Sequence, residues 1–136
     1  MPFVVDASVA ASWLMPDESD PVADLALARL ESDPGLAPAH WWFEIRNIFV
    51  TAERRGRLPG TQTERVLALL AKLPITIRHD ADEDAILRLA RTHGLTVYDA
   101  AYLDLAVRSA TPLATLDRAL VAAAKAEGVM LIGINS

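Results

Sequence analysis

Short apolar runs alternate with amphipathic stretches along this chain, and the two patterns predict different secondary structures. A run of aliphatic and β-branched residues is typical of a buried strand, whereas apolar residues three and four positions apart indicate one face of a helix. The runs predict strands over 3–5, 36–38, 75–77, 112–116 and 130–132. The amphipathic stretches predict helices over 7–14, 22–31, 40–55, 61–73, 82–93, 99–109 and 117–127.

This alternation of strands with helices of moderate length predicts the fold class. Strands separated by such helices form a parallel sheet that is covered by helices on both faces. We therefore expect an α/β protein with three layers, α/β/α, around a central and mainly parallel sheet. A length of 136 residues without a linker or an internal repeat predicts a single domain over 1–136.

Composition narrows the range of functions. The apolar fraction of 52% excludes an intrinsically disordered chain, and the absence of cysteine excludes a disulfide framework, a thiolate zinc site and a cysteine nucleophile. With 18 acidic and 13 basic residues the net charge is −5, which argues against a protein that binds DNA or a membrane by charge alone.

The sequence also bears on location. No Lys or Arg precedes Arg29, so the positive segment of an export signal is missing. Uncharged apolar runs such as 119–124 are far shorter than the ~20 residues that span a bilayer. We therefore expect a cytoplasmic protein without membrane association.

Four acidic residues fall where a parallel sheet of this kind places its ligands, outside the carboxyl ends of the strands. Asp6 and Asp117 directly follow predicted strands, and Asp99 begins a predicted helix. Glu44 lies inside the helix 40–55, at roughly 60° from Trp41 on a helical wheel, so it borders the apolar face.

A purely structural interpretation of these acids exists. An aspartate before a helix is a preferred N-cap, worth about 1 kcal/mol, and this explains Asp6, Asp99 and Asp117 individually. Glu44 fits that interpretation less well, because an acid that only supports the helix dipole need not border the apolar face. A cluster of all four would have a chemical use, since oxygen ligands hold Mg²⁺ and such a cation activates water for attack on a phosphodiester.

Four segments, taken in order, give the chain a resemblance that covers nearly its whole length. It resembles the PIN-domain family, and within it the VapC-type toxin ribonucleases of toxin–antitoxin pairs. The segments that carry this resemblance are 3–8 (FVVDAS), 44–47 (EIRN), 96–103 (TVYDAAYL) and 113–117 (LATLD).

The resemblance implies a site and a set of partners. It implies that Mg²⁺ or Mn²⁺ lies on an acidic quartet, which maps onto Asp6, Glu44, Asp99 and Asp117. It implies supporting roles near the metal for Ser8, Asn47 and Thr115. It further implies a metal-dependent endoribonuclease that cleaves RNA, is inhibited by a cognate antitoxin protein and forms a homodimer. A mean hydropathy of +0.23 also favours an oligomer.

Two other functions remain open. A phosphatase would use Asp6 as its nucleophile, but that chemistry usually needs a second aspartate two positions later, where this chain has Ser8. A non-catalytic interaction module on the same fold is the second alternative.

Several other polar and aromatic residues are expected to be structural. We predict a surface ion pair between Asp104 and Arg108, which are four residues apart on one helix. We expect the pair Trp41 and Trp42 to lie mostly in the core. Other groups expected at helix ends are Asp80, Asp82, Glu83 and Asp84, the bases Arg54, Arg55 and Arg57, and His93. For the three bases an RNA contact is the less favoured alternative.

Overall fold

The computed structural model describes residues 1–134, and its centre is a four-stranded sheet with the strand order β3-β2-β1-β4. The strands are β1 (Phe3–Val5), β2 (Gly35–Pro38), β3 (Ile75–Arg78) and β4 (Leu113–Ala114). The helices are α1 (Ala7–Leu14), α2 (Pro21–Arg29), α3 (Trp41–Arg54), α4 (Gly60–Leu70), α5 (Glu83–His93), α6 (Val97–Ser109) and α7 (Arg118–Ala126). The predicted domain over 1–136 includes two residues, 135–136, that lie outside the described range.

All pairings between these strands are parallel, as the alternation of elements predicts. Val4 in β1 pairs with Leu36 on one side and with Leu113 on the other, so β1 is a central strand. All three residues of β1 are completely buried, because a parallel sheet is covered on both faces. The α/β class with helices flanking a parallel sheet is confirmed.

Glycine at the start of β2 has a packing reason. A Cβ atom at Gly35 would lie 3.0 Å from a methyl group of Val5 and 3.1 Å from a side-chain carbon of Ile75. The neighbouring strands therefore occupy the space that a side chain would need.

Local capping explains where most helices begin. Asp6, Asp20, Asp82 and Asp117 each accept a backbone N–H bond as the N-cap of α1, α2, α5 and α7. The prediction that Asp99 begins its helix is wrong, because α6 starts at Val97 and Thr96 is its cap. The cap explanation therefore accounts for Asp6 and Asp117 but not for Asp99.

The predicted strand 130–132 is reduced to a single bridge between Leu131 and Leu113. Its partner β4 has only two residues, and the chain turns at Gly133 with a φ of 74°. The last strand is therefore too short to count as a fifth member of the sheet. No helix within residues 1–134 is long and apolar enough to cross a membrane.

The carboxyl ends of the neighbouring strands β1 and β4 lie at the same edge of the sheet, and this arrangement positions the site. The N–H of Asp6, just after β1, donates to the carbonyl of Ala114 at the end of β4, over 3.0 Å. Helices α1 and α7 begin immediately beyond these two strands, and α3 begins three residues after β2.

Candidate active site

Asp6 is the buried centre of the site, with only 4% of its surface exposed. Its Oδ1 accepts the N–H of Ser8 over 3.2 Å, and its Oδ2 accepts the hydroxyls of Ser8 at 3.2 Å and Thr115 at 2.6 Å. Burial raises the pKa of Asp6 above its usual value, although these hydrogen bonds oppose the shift. The carboxylate is thus held in one orientation by Ser8, in α1, and by Thr115, which follows β4.

Ser8 and Thr115 also connect Asp6 to the segment after β4. Thr115 Oγ1 accepts the N–H of Asp117 over 3.1 Å, and Ser8 Oγ accepts the N–H of Leu116 over 3.4 Å. Both hydroxyls therefore donate to Asp6 while they accept from the neighbouring backbone. The structure places both residues, which the resemblance assigned to supporting roles, in direct contact with the central carboxylate.

Glu44 lies in the first turn of α3 and accepts a hydrogen bond from a buried tyrosine. The Oη of Tyr102 donates to Glu44 Oε1 over 2.8 Å, and His40 Nε2 lies 3.4 Å from the same oxygen. Burial raises the pKa of Glu44, and the charges of Asp6 and Asp99 raise it further, while the Tyr102 bond opposes this. Glu44 is half-buried at the edge of the apolar stripe, as its helical position predicts.

Asp99 and Asp117 complete the acidic set at the starts of two other helices. Asp99 lies in the first turn of α6, where burial and the charge of Asp117 raise its pKa. Asp117 caps α7 by accepting the N–H of Leu120 at Oδ1 over 2.9 Å. The cap occupies one carboxylate oxygen, so the second remains for another partner.

The donor set suits a hard divalent cation. The charges of Asp6, Glu44, Asp99 and Asp117 act on one another in pairs, which raises the free energy of the folded protein without a counter-ion. Within residues 1–134, no Lys or Arg pairs with any of the four.

The four carboxylates are not closed around a common point. Across residues 1–134, no group of three or more His, Asp or Glu side chains is arranged as a ready metal site. Glu44 and Asp99 are half-exposed, whereas Asp6 is buried. The residues fit a cation that draws them together, with Asp6 as the fixed member.

A cleft of about 410 Å³ is lined by two of the four acids, Glu44 and Asp99. The exposed side chain of Asn47, one turn after Glu44 on α3, is at its edge. The lining residues are His40, Phe43, Glu44, Asn47, Thr96, Tyr98 and Asp99.

The sequence analysis missed two residues that contact Glu44. Tyr102 is fully buried, and the charges of Asp6 and Glu44 add to burial in raising its pKa, so its hydroxyl stays protonated as a donor. His40 packs edge-on against Tyr102 at 4.9 Å, and burial lowers the pKa of His40. The spacing of Tyr102, three residues after Asp99 on one helix, is the signal that points to the same site.

Two structural expectations about other residues need correction. Asp104 and Arg108 do form an ion pair, at 2.7 Å, but Asp104 is only 1% exposed, so the pair is not a surface one. Helices α5 and α6 pack against each other, and Asp104 lies on a buried part of α6. Trp41 is in the core, whereas Trp42 is 43% exposed, because successive helix positions are about 100° apart.

Arg57 and His93, two of the residues expected at helix ends, both have acidic partners. Arg57 does not extend freely toward solvent, because it pairs with Asp17 at 2.9 Å and with Glu18 at 3.0 Å. His93, in the last turn of α5, pairs with Glu127 at 2.7 Å. These contacts give Arg57 and His93 structural partners.

Comparison with known proteins gives consistent results. Residues 3–126 match the family model of the PIN domain. The ribonuclease VapC3 of Pyrobaculum aerophilum is 35% identical over 124 residues, which are 88% of this chain and 92% of that protein.

Two crystal structures have a similar fold. PAE2754 from Pyrobaculum aerophilum is similar with a TM-score of 0.74 and 25% identity, over 97% of this chain and 90% of that one. The sarcin–ricin loop cleaving toxin VapC20 of Mycobacterium tuberculosis has a TM-score of 0.60 at 15% identity, over 89% of this chain and 94% of its own.

Proposed function

This chain belongs to the PIN domain family, and we propose that it is a metal-dependent endoribonuclease, the toxin of a type II toxin–antitoxin pair. Its similarity to a VapC ribonuclease over nearly the full length of both chains supports hydrolysis of RNA. We propose Mg²⁺ or Mn²⁺ as the cofactor, with Asp6, Glu44, Asp99 and Asp117 as the residues that hold it and catalyse the reaction.

The observation that carries this proposal is the fixed and buried carboxylate of Asp6 among three further acids that pair with no lysine or arginine within the described residues. A buried carboxylate without a cationic partner costs stability, and such groups are typical of sites that bind a cation. The set contains oxygen donors only, which favours Mg²⁺ or Mn²⁺ over softer metals.

Each group of the chain has a defined task in this reaction. A divalent cation held by the four acids would activate water and stabilise the charge on the phosphodiester. Asp6 anchors the cation, because its orientation is fixed by Ser8 and Thr115. Glu44, which Tyr102 holds by a hydrogen bond, would orient the attacking water and accept its proton. No covalent intermediate with the protein is needed.

The test is cleavage of RNA with purified protein. Internal cuts in single-stranded RNA should appear with Mg²⁺ or Mn²⁺, disappear in excess EDTA and return when the metal is restored. Asp6→Asn should be folded and inactive, which separates the protein's activity from a contaminating nuclease. RNA cleavage that persists undiminished in EDTA would falsify the proposed mechanism.

The same preparation distinguishes the two alternatives. A phosphatase would release inorganic phosphate from a small aryl ester, and we expect no such release because Ser8 replaces the required acid. A non-catalytic module would bind a partner without cutting RNA under any metal condition.

We also propose a cognate antitoxin, a homodimer and a cytoplasmic location. Large apolar side chains exposed on several helices support protein partners, and they include Leu25, Leu69 and Val107. Light scattering at micromolar concentration should give about twice the chain mass of 14.7 kDa. A monomer both alone and after expression with the neighbouring reading frame would contradict the dimer.

A further inference from the structure

A cavity of about 300 Å³ is lined by residues at the ends of β2 and β3 and on the helices α5 and α6. None of the four acids lines it, although His40 and Tyr98 line both this cavity and the cleft beside Glu44 and Asp99. Its volume is at the lower end of the range for sites that bind small molecules. The proposed reaction makes no use of this cavity.

The wall of the cavity is largely apolar. It includes the aliphatic side chains of Pro38, Ile86 and Leu105, the methyl group of Ala101 and the ring of Tyr98. Walls of this kind, with a small number of polar groups, are typical of sites that bind a small molecule with a flat apolar body. The polar groups then decide which molecule fits.

One polar group of the lining is a buried carboxylate with an unused oxygen. Asp104 is only 1% exposed, and its Oδ2 accepts the Nε–H of Arg108 over 2.7 Å. No donor within residues 1–134 forms a hydrogen bond with its Oδ1. Arg108, which also lines the cavity, donates from Nη1 to Asp80 over 3.1 Å, while its Nη2 has no acceptor among the same residues. The Asp104–Arg108 pair therefore keeps one free acceptor and one free donor.

The charges around the cavity balance. Arg78, another residue of the lining, pairs with Asp80, which also pairs with Arg108. The two arginines and the two aspartates Asp80 and Asp104 leave no net charge, so neither a cation nor an anion is favoured. A purely aliphatic ligand would remove water from Asp104 Oδ1 without replacing it by a donor, which costs stability. The ligand that fits is neutral and carries a donor and an acceptor on adjacent atoms.

We propose that this cavity binds a free planar heterocycle with adjacent N–H and C=O groups, the edge that an oxopurine or another small lactam presents. Its N–H donates to Asp104 Oδ1, its carbonyl oxygen accepts from Arg108 Nη2, and its ring packs against the apolar wall. Carboxylates and guanidinium groups recognise the polar edges of nucleobases in this way. The inference does not depend on the proposed nuclease activity.

The first test is an NMR titration with hypoxanthine, whose N1–H and C6=O are adjacent. The protein is kept in EDTA, so that no metal ion can hold the ligand. The chain has three histidines, of which His40 and His79 line the cavity, whereas His93 pairs with Glu127. The imidazole signals of His40 and His79 should shift during the titration, and that of His93 should not. The absence of any shift up to the solubility limit would leave the cavity to water and overturn the inference.

A matched ligand tests the assigned polar edge. In 1-methylhypoxanthine a methyl group replaces the N1–H, and the ring is otherwise the same. It should bind about 10- to 100-fold more weakly, which is the loss of one hydrogen bond to a charged group. Equal affinity for the two ligands would contradict the contact with Asp104.

Two variants fill the cavity from different sides. Ala101→Leu does so from α6, and Ala81→Leu does so from the exposed loop before α5, where a larger side chain is easily tolerated. Each should weaken hypoxanthine binding by tenfold or more. Ala122→Leu, at an exposed position on α7 that does not line the cavity, is the matched control and should bind as the wild type does. If Ala101→Leu does not fold, Ala81→Leu alone decides, and wild-type affinity in that variant would place the ligand elsewhere.

A short oligoribonucleotide that carries inosine, also titrated in EDTA, distinguishes a free ligand from an RNA strand. Shifts of His40 and His79 with hypoxanthine support the proposal. Shifts with the oligoribonucleotide but not with hypoxanthine would assign the cavity to the strand and contradict it. Because binding is measured without metal, a protein that binds hypoxanthine and never cleaves RNA would contradict the nuclease alone.

Discussion

Removal of one hydroxyl group at Tyr102 tests whether Glu44 belongs to the metal site. Tyr102 is fully buried, and its Oη donates to Glu44 Oε1 over 2.8 Å. In Tyr102→Phe the ring keeps its packing against His40, and the losses are the donor to Glu44 and the acceptor of the Ala7 N–H. The carboxylate of Glu44 then rotates more freely and protonates more readily, and both changes weaken its hold on a cation.

The size of the effect follows from the hydrogen bond. A hydrogen bond to a charged group contributes about 1.5–3 kcal/mol. Groups that orient metal ligands typically change metal affinity by about 10- to 100-fold, and we expect Mn²⁺ binding to weaken within that range. The bond is also present without metal, so the metal-free fold loses up to its full energy, and the melting temperature falls by roughly 6–12 °C.

Calorimetric titration with Mn²⁺ measures the affinity directly, and the metal dependence of RNA cleavage gives a second value. Ser109→Ala is the control, because it removes a hydroxyl from the same helix that bonds only to Leu105 and Thr111. It should lower the melting temperature without changing Mn²⁺ affinity. An unchanged affinity in Tyr102→Phe would show that Glu44 does not act on the metal.

Three further predictions concern stability. Asp99→Asn should abolish cleavage and melt no lower than the metal-free wild type, because it relieves repulsion, and Mg²⁺ should raise its melting temperature less than that of the wild type. The hydrogen bond from His93 lowers the pKa of Glu127 in the folded protein. The stabilisation that this bond provides is therefore present above the unfolded pKa of Glu, about 4.3, and is lost as the pH falls through the folded pKa of Glu127. The difference in free energy of unfolding between the wild type and Glu127→Gln should therefore shrink between pH 6 and pH 3. The change should be about 1 kcal/mol or less. Arg108→Met should destabilise the fold by about 3 kcal/mol in urea unfolding, because it leaves the buried Asp104 unpaired. The double variant that also carries Asp104→Asn should recover part of that loss.

The sequence predicts the acidic edge of the sheet well, because chain order determines it. Once β1 and β4 are parallel neighbours, the residues that follow them must lie at the same edge. Asp6 and Asp117 are such residues, and each both caps a helix and faces the site. From the sequence, a helix cap and a metal ligand are alternative interpretations of each aspartate, yet one carboxylate has enough lone pairs for both roles.

Contacts between distant segments are what the sequence does not predict. Tyr102 and Glu44 are 58 positions apart, and the periodicity of neither helix indicates that they meet. For Asp104, helical geometry gives the direction away from the site, but burial depends on the packing of α5 over α6. For Trp42, the apolar character of the side chain suggests the core, while its helix position turns it outward. For Glu44 and Asp104, contacts with another element therefore decide the environment, whereas for Trp42 the position on its own helix does.

All four acids lie at the N-terminus of a helix, and this explains how the fold tolerates them without a cation. Asp6 and Asp117 are the N-caps of α1 and α7, while Glu44 and Asp99 are in the first turns of α3 and α6. The N-terminus of a helix carries about half a positive charge, and each favourable acid there gains about 0.3–1 kcal/mol. The four helix N-termini therefore partly offset the mutual repulsion, and a divalent cation supplies what they leave uncompensated. Addition of metal should stabilise a fold that is already formed rather than cause it to fold.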